Sequence, residues 1–577
     1  MNKRIAGLLK PYRGKVIFAV IIGVVSSLMS VLIPQIVRTI SSVIEEGLKS
    51  KVDFSSLSFN AVLAFGAVLI VFAFGYAQQF MMAGVSQDLC KNMRRDISAK
   101  LNRLPIAYFD SHKSGDTLSR VSNDVDMVSQ SLVSNITSIL SSMTTVIGAT
   151  VMMLITNWIL ALCVMVVSIG GFAISRKVAK AGRNYARTQQ RSLGAINAHI
   201  EEVFTGHLVV KAFNCEDDVR EYFHKRNQDM YESSWKSQVA SGIMTPVMAF
   251  VGNLGYIIVC IVGAALIVGN IAGTTISVIV AFILYVRMYQ SNISNVASAI
   301  GSIQPAYAAA GRVFEILDED EIDESGATET IQDVSGEIGF SHVKFGYVPN
   351  TPILHDFSAD VKSGQKVAIV GPTGAGKTTM VNLLMRFYEL DGGEIRIDGT
   401  PVSKLHRDNL HDYVGMVLQD TWTFEGSIRD NIVYSTKGVT EERLREVIED
   451  VGLDHFVDTL PNGLDTILGE QTEVSAGQKQ LLTIARAMIR NPKVLILDEA
   501  TSSIDTRLEK IITQAIDKLT EGRTSFVIAH RLSTIRDADV IFVMKDGDVV
   551  ETGKHEELLQ RNGLYAQLYN SQFDEGE

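Results

Sequence analysis

The eight residues Gly371-Pro372-Thr373-Gly374-Ala375-Gly376-Lys377-Thr378 have the make-up of a phosphate cradle. Glycines at 371, 374 and 376 let the backbone curl until successive N–H groups point inward at anionic oxygens. Lys377 supplies a cation that can bridge β- and γ-phosphates, and the Thr378 hydroxyl, followed by Thr379, can ligate Mg²⁺. The run fits GxxxxGK[ST] without a mismatch. Further along, Val494-Leu-Ile-Leu-Asp498-Glu499 sets two carboxylates after four apolar residues. Asp498 suits a Mg²⁺ partner, and Glu499, one residue on, can polarise an attacking water. His530, after Ser525–Ala529, can hydrogen-bond a terminal phosphate, and Gln419, after Val414–Leu418, offers an amide oxygen to the metal or the water. This chemistry is hydrolysis of a nucleoside triphosphate, with ATP and Mg²⁺ as the expected ligands.

Such groups work only when one scaffold holds them. The cradle follows the apolar run KVAIV and precedes the apolar helix TMVNLLMRF, the strand–loop–helix context that this motif requires. From about residue 336 onward, short β-rich runs such as Lys366–Val370 and Val494–Leu497 alternate with helical ones. The expected fold is a mostly parallel sheet covered by helices, with ligands at the carboxyl ends of its strands. The acidic stretch Leu317–Thr330 reads as part of a linker over about 311–335.

The N-terminal part, about 1–310, has a different character. Six apolar runs, at about 15–37, 59–82, 132–155, 158–176, 243–268 and 272–292, each have the length of a helical membrane span. Only Asn157 separates the third from the fourth, which predicts a tight hairpin. Lys and Arg crowd the N-terminus (Lys3, Arg4, Lys10, Arg13, Lys15), the segment after the second run (Lys91, Arg94, Arg95) and the segment after the fourth (Arg176, Lys177, Lys180). That bias puts both termini in the cytoplasm of a multi-pass membrane protein. The basic N-terminus reads as a short interfacial helix before a retained first span. The inner segments, about 83–131 and 177–242, have helical spacing, so the spans should run on into the cytoplasm. Arg287 falls near the inner end of the sixth run, where its side chain can snorkel to water.

Bulk properties fit this division. The chain has 577 residues, 46% of them hydrophobic, and a net charge of -11, which argues against nucleic acid as a partner. Cys90, Cys163, Cys215 and Cys260 show no metal or disulfide spacing.

The C-terminal set resembles the nucleotide-binding domain of ATP-binding cassette (ABC) transporters. Val474-Ser475-Ala476-Gly477-Gln478 is similar to that family's LSGGQ signature. Gln419 matches its Q-loop, Ser503-Ile504-Asp505 its D-loop and His530 its switch histidine. Tyr347, in FGYVP, stands where the family stacks adenine. Leu104–Asp110 with Ser114-Gly115-Asp116, Arg120 and Asn123-Asp124-Val125 resembles the first intracellular region of multidrug-type exporters.

The resemblance implies a fold of six extended membrane helices plus a P-loop ATPase, and a dimer in which Ser475, Ala476, Gly477 and Gln478 cap ATP held by the other half's loop. Closure on ATP would pass through the inner tips near 105–115 and 205–220. Ala476, in place of a glycine, and the approach Gly469–Glu473, which lacks the usual glycine, resemble the consensus half of a heterodimer with unequal sites. A heterodimer is favoured, with a homodimeric lipid or peptide exporter as the alternative. The expected cargo is an amphipathic small molecule or lipid. A membrane channel or signalling ATPase would need sensory or pore-charged sequence, and none is visible.

Overall fold

The structure, a computed structural model, describes residues 2–48, 51–419, 421–469, 474–498, 506–528 and 535–573. Two compact units emerge, residues 1–102 with 114–319 and residues 103–113 with 320–577. Because 103–113 belongs to the second unit, the membrane part leaves its own unit and returns to it at a break marked by Pro105.

The first unit is helical. Among the described residues, six segments are long and apolar enough to cross a membrane. The first four apolar runs lie within Arg13–Gly47, Phe54–Leu101, Val125–Thr156 and Trp158–Thr205, while the fifth and sixth helices, Met244–Val268 and Ile276–Asp318, begin one and four residues later than the runs at about 243 and 272. Glu216–Gly242 leads into the fifth. Most of these helices are longer than the roughly 20 residues a bilayer core takes, so they extend beyond it. Asn157 makes the tight turn: its side-chain oxygen accepts from the Ile159 and Leu160 amides, each at 3.1 Å, while its amide donates to Thr274 Oγ1 at 2.8 Å. This cap satisfies orphan amides where water is scarce. The core gathers Val31, Met153, Leu160, Val259, Phe282 and Tyr285. On the second span Phe59, Phe65, Phe72 and Phe80 are exposed, as expected of side chains that face lipid. Arg287 is exposed as well.

Charge pairs tie together helix ends of this unit. Asp124, buried, accepts two bonds from Arg312, at 2.7 Å from Nε and 2.5 Å from a terminal nitrogen. Arg120 pairs with Glu315 at 3.1 Å. Near the N-terminus, Arg4 pairs with Asp318 and lies over the Phe314 ring.

In the second unit a six-stranded sheet has the order Asp548–Gly553, Val540–Lys545, Lys366–Val370, Thr524–Ile528, Val494–Asp498, Val414–Val417. Every neighbouring pair is parallel except the first, which is an antiparallel edge hairpin. The inner strands read as continuous apolar runs because helices cover both faces. Val367, Ala368, Ile369, Leu495, Ile496 and Phe526 are fully buried. A smaller antiparallel sheet, with Leu354–Val361, Ile338–Phe345 and Gly392–Ile397 in that order, leans on this core through Phe340, Phe357 and Ile395. Its last strand turns at Asp398-Gly399, both left-handed (φ +49° and +80°), which is what a tight Asp-Gly hairpin demands.

Candidate active site

The sheet brings the phosphate loop, Asp498 and Gln419 to one edge. Register pairs Ile528 with both Ile369 and Asp498, so Asp498 stands level with the end of the strand that feeds Gly371, two strands away. Val417 pairs with Leu497, and the chain then leaves the sheet beside the Asp498 strand, where Gln419 is exposed. This is the carboxyl edge of a parallel sheet, where α/β folds bind ligands. Glu499, Asp505 and His530 lie outside the described residues, as does Glu470–Glu473 of the approach to the signature.

The cradle's shape rests on two close approaches. A side chain at 371 would place its Cβ 2.3 Å from the Met544 carbonyl oxygen. At 376, with φ +96°, a Cβ would lie 2.9 Å from Leu354. Only glycine lets the loop pass both points and open into the helix Lys377–Leu384. Pro372, Thr373 and Ala375 fill the curl between them, with Ala375 buried, and Thr379 is buried one turn in. Lys377 Nζ folds back across the loop and donates to the carbonyls of Gly371 (2.7 Å) and Pro372 (3.0 Å). Burial pulls the Lys377 ammonium below the ordinary lysine range, and the negative charge of Asp498 opposes that pull. An ammonium held by two carbonyls, partly dry and in the field of a carboxylate, is poised to exchange them for phosphate oxygens.

Tyr347 is exposed beyond the strand Ile338–Phe345, and its hydroxyl accepts from Asn382 at 3.4 Å. Its ring meets Tyr388 edge-on at 4.9 Å. The Tyr388 phenol in turn donates to the Asp110 carboxylate. Burial and that bond together raise the phenol's pKa well above its ordinary value. Leu104 and Tyr108 are buried, and the Ile322 amide donates to the Arg103 carbonyl at 2.9 Å, so residues 103–113 are anchored at several points.

Ser475 is the N-cap of the helix Ala476–Arg490. Its Oγ accepts from the Gln478 amide (3.2 Å), and Gln478 Oε1 accepts from the Ser475 amide (2.9 Å), a closed capping box. Ala476 and Gly477 are the first residues of that helix.

Arg486, on the same helix, belongs to none of the motifs above. It is half-buried, donates from Nε to the Asn431 carbonyl at 2.8 Å, and lies 5.1 Å from the Tyr434 ring and 5.8 Å from that of Phe424. It therefore fastens the segment that follows Gln419 to the signature helix. The signal was available: an arginine inside the apolar run LLTIARAMI is costly unless paired.

Comparison with known proteins agrees with this layout. The family models described as "ABC transporter transmembrane region" and "ABC transporter" match residues 16–293 and 354–502. A "Fatty acid ABC transporter ATP-binding/permease protein" of Mycobacterium bovis is 41% identical over 519 residues, covering 90% of this chain and 82% of that protein. An "ATP-dependent lipid A-core flippase" of Dechloromonas aromatica is 34% identical, covering 99% and 97%. A solved "bacterial Atm1-family ABC exporter with ATP bound" superposes with a TM-score of 0.77 at 25% identity, covering 97% of this chain and 98% of the other. The chain thus belongs to the ABC transporter family, as a multi-pass bacterial membrane protein of the exporter type that binds ATP and couples its hydrolysis to transport.

Proposed function

We propose that the chain is one half of a dimeric exporter that moves amphipathic, lipid-like molecules across the cytoplasmic membrane, preferentially as a heterodimer with unequal ATP sites. The relatives' printed substrates, fatty acid and lipid A-core, support the lipid-like cargo. The observation that carries the half-site reading is the state of Ser475. Its lone pair serves the helix cap and, among the described residues, its hydroxyl proton has no partner, so it can still donate to a γ-phosphate brought by another chain. The sequence holds one phosphate loop and one signature, so two chains are needed to close a site. Ala476 at the start of the helix strengthens the helix but adds a methyl where the family has glycine, which fits a weakened signature donated to the partner's site.

Within the site, Gly371–Thr379 would grip the phosphates and Lys377 would exchange its two carbonyls for β- and γ-oxygens. Thr378, Gln419 and Asp498 present only oxygen donors, a set that suits Mg²⁺. When bound, the ion screens phosphate charge. Tyr347 would stack adenine, Asp505 would reach across the dimer interface, Glu499 would orient the water and His530 would hold the terminal phosphate. The positions of Lys and Arg favour cytoplasmic termini and a cytoplasmic ATPase unit.

Two experiments test this. Glu499→Gln should keep ATP binding while turnover falls about 10³-fold. Wild-type-like turnover would remove Glu499 from the role. The chain purified without a partner should hydrolyse ATP poorly, whereas robust Glu499-dependent activity from it alone would establish a homodimer.

A further inference from the structure

The first unit contains a cavity of about 720 Å³ between the helices Phe54–Leu101 and Val125–Thr156. That is within the size range of small-molecule sites. Its position is unusual for its chemistry. Gln78 and Gln79 stand at the inner end of the second apolar run, and Ser138, Ser141 and Ser142 in the inner half of the third, yet all of them line this space.

The two walls are polar rows that meet across an antiparallel pair of helices. On one helix Gln78, Ser86 and Arg94 follow one another at eight-residue intervals. Each meets the opposite helix. Gln78 Nε2 donates to Ser141 Oγ at 3.3 Å, the Ser86 and Ser129 hydroxyls lie 2.9 Å apart, and Arg94 pairs with Asp126 at 2.6 Å. These rungs explain three polar contacts. They leave Gln79, Gln87, Ser138 and Ser142 with no hydrogen bond among the described residues, although Ser142 is buried. Gln79, Ser138 and Ser142 fall within the apolar runs, and uncompensated polar groups at that depth are costly and are retained where they line a cavity.

The electrostatic balance selects the occupant. Arg94 and Asp126 are the charged residues among the described lining, and they neutralise each other. An anionic head would find no free cation there, and a cationic head no free carboxylate. Amides and hydroxyls, by contrast, offer donors and acceptors on both walls, which matches a ring of neighbouring hydroxyls that each donate and accept.

We propose that this cavity receives the uncharged, polyhydroxylated head of an amphipathic substrate from the inner leaflet. The inference rests on the exporter reading above and assigns its cargo a head-group class.

The test uses the full chain in lipid nanodiscs, with Cys90, Cys163, Cys215 and Cys260 replaced by serine and Ser138→Cys introduced. The rate of N-ethylmaleimide labelling at 138 is read by mass spectrometry. The probes share one chain length: dodecyl maltoside, dodecanoate and dodecyltrimethylammonium, each below micellar concentration. The maltoside should slow labelling about fivefold or more, the effect of one net hydrogen bond, and the two charged probes less than about twofold. Adding Gln79→Leu and Ser142→Ala should abolish the protection. Equal protection by all probes, preference for a charged probe, no protection, or a position 138 that never labels because protein covers it would each overturn the assignment. Vesicle transport of the same probes judges the exporter reading separately. Glu499-dependent movement of dodecanoate without protection by maltoside keeps the exporter and discards the site. Protection without movement of any probe does the reverse.

Discussion

Replacing Tyr388 by phenylalanine isolates one bond within the ATPase unit, between the ring cluster at Tyr347 and the segment 103–113. Residues 103–113 join Phe54–Leu101 to Ser114–Ser119 in sequence, yet they fold with the ATPase unit. The Tyr388 phenol donates to Asp110 in that segment, and its ring keeps Tyr347 at 4.9 Å and Phe345 at 5.6 Å. Phenylalanine preserves both ring contacts and removes only the donor. A hydrogen bond to a carboxylate is worth about 1.5–3 kcal/mol when shielded, but Asp110 is exposed, so a discounted value of about 1 kcal/mol is appropriate. That value shifts the docked-to-undocked balance of the segment about fivefold. The raised pKa of the phenol keeps it a donor throughout the physiological range, so the effect should not vary between pH 6 and 8. The assay is the ratio of substrate-stimulated to basal ATPase in nanodiscs. It should fall about fivefold, while the KM for ATP moves less than about twofold. Asp110→Ala should reproduce the loss, and the double variant should be no worse than either single one. Additive losses, or an unchanged ratio in Tyr388→Phe, would show that the bond transmits nothing.

Arg486→Ala should reduce turnover about tenfold with ATP binding intact, because the segment after Gln419 loses a charge-assisted bond and two ring contacts; Arg486→Lys should not rescue it, since an ammonium neither forks nor stacks in the same way. Arg312→Ala leaves Asp124 buried without its bidentate partner and should cost about 2 kcal/mol, read as a lower midpoint of thermal unfolding, with Asp124→Asn plus Arg312→Ala less harmful than Arg312→Ala alone. Asp398 is opposed by burial, but bonds from Ser335, Glu337 and Gly336 outweigh it and hold its pKa below the usual carboxylate value. A depressed folded pKa means that its contribution is complete above about pH 4 and is lost as pH falls through the folded pKa, so Asp398→Asn should flatten the acid limb of the unfolding midpoint against pH.

What the sequence disclosed divides along physical lines. The phosphate loop was legible because its glycines, Lys377 and Thr378 fall within eight consecutive residues; the close approach of position 371 to the Met544 carbonyl is a separate, tertiary reason for glycine there. The apolar runs were legible because bilayer thickness sets one length for all of them, and the turn at Asn157 because a single polar residue between two such runs has to cap the second. Tyr388 and the Asp124–Arg312 pair were not, because each depends on a partner far away in sequence. Tyr388 meets Asp110 across 278 positions, and Arg312 meets Asp124 across 188. No local period marks such pairs, since a charge on an exposed helix face and a charge waiting for a distant partner look alike in one sequence. The polar cavity belongs to the same class. Gln78, Ser86 and Arg94 are unremarkable on one helix, and Ser141, Ser129 and Asp126 on the other. Only the antiparallel register of the two helices turns them into rungs, and only the rungs show that Gln79, Gln87, Ser138 and Ser142 are left over. The long-range pairings therefore escape a reading of one sequence, while the phosphate-loop residues, which lie within one short loop, do not.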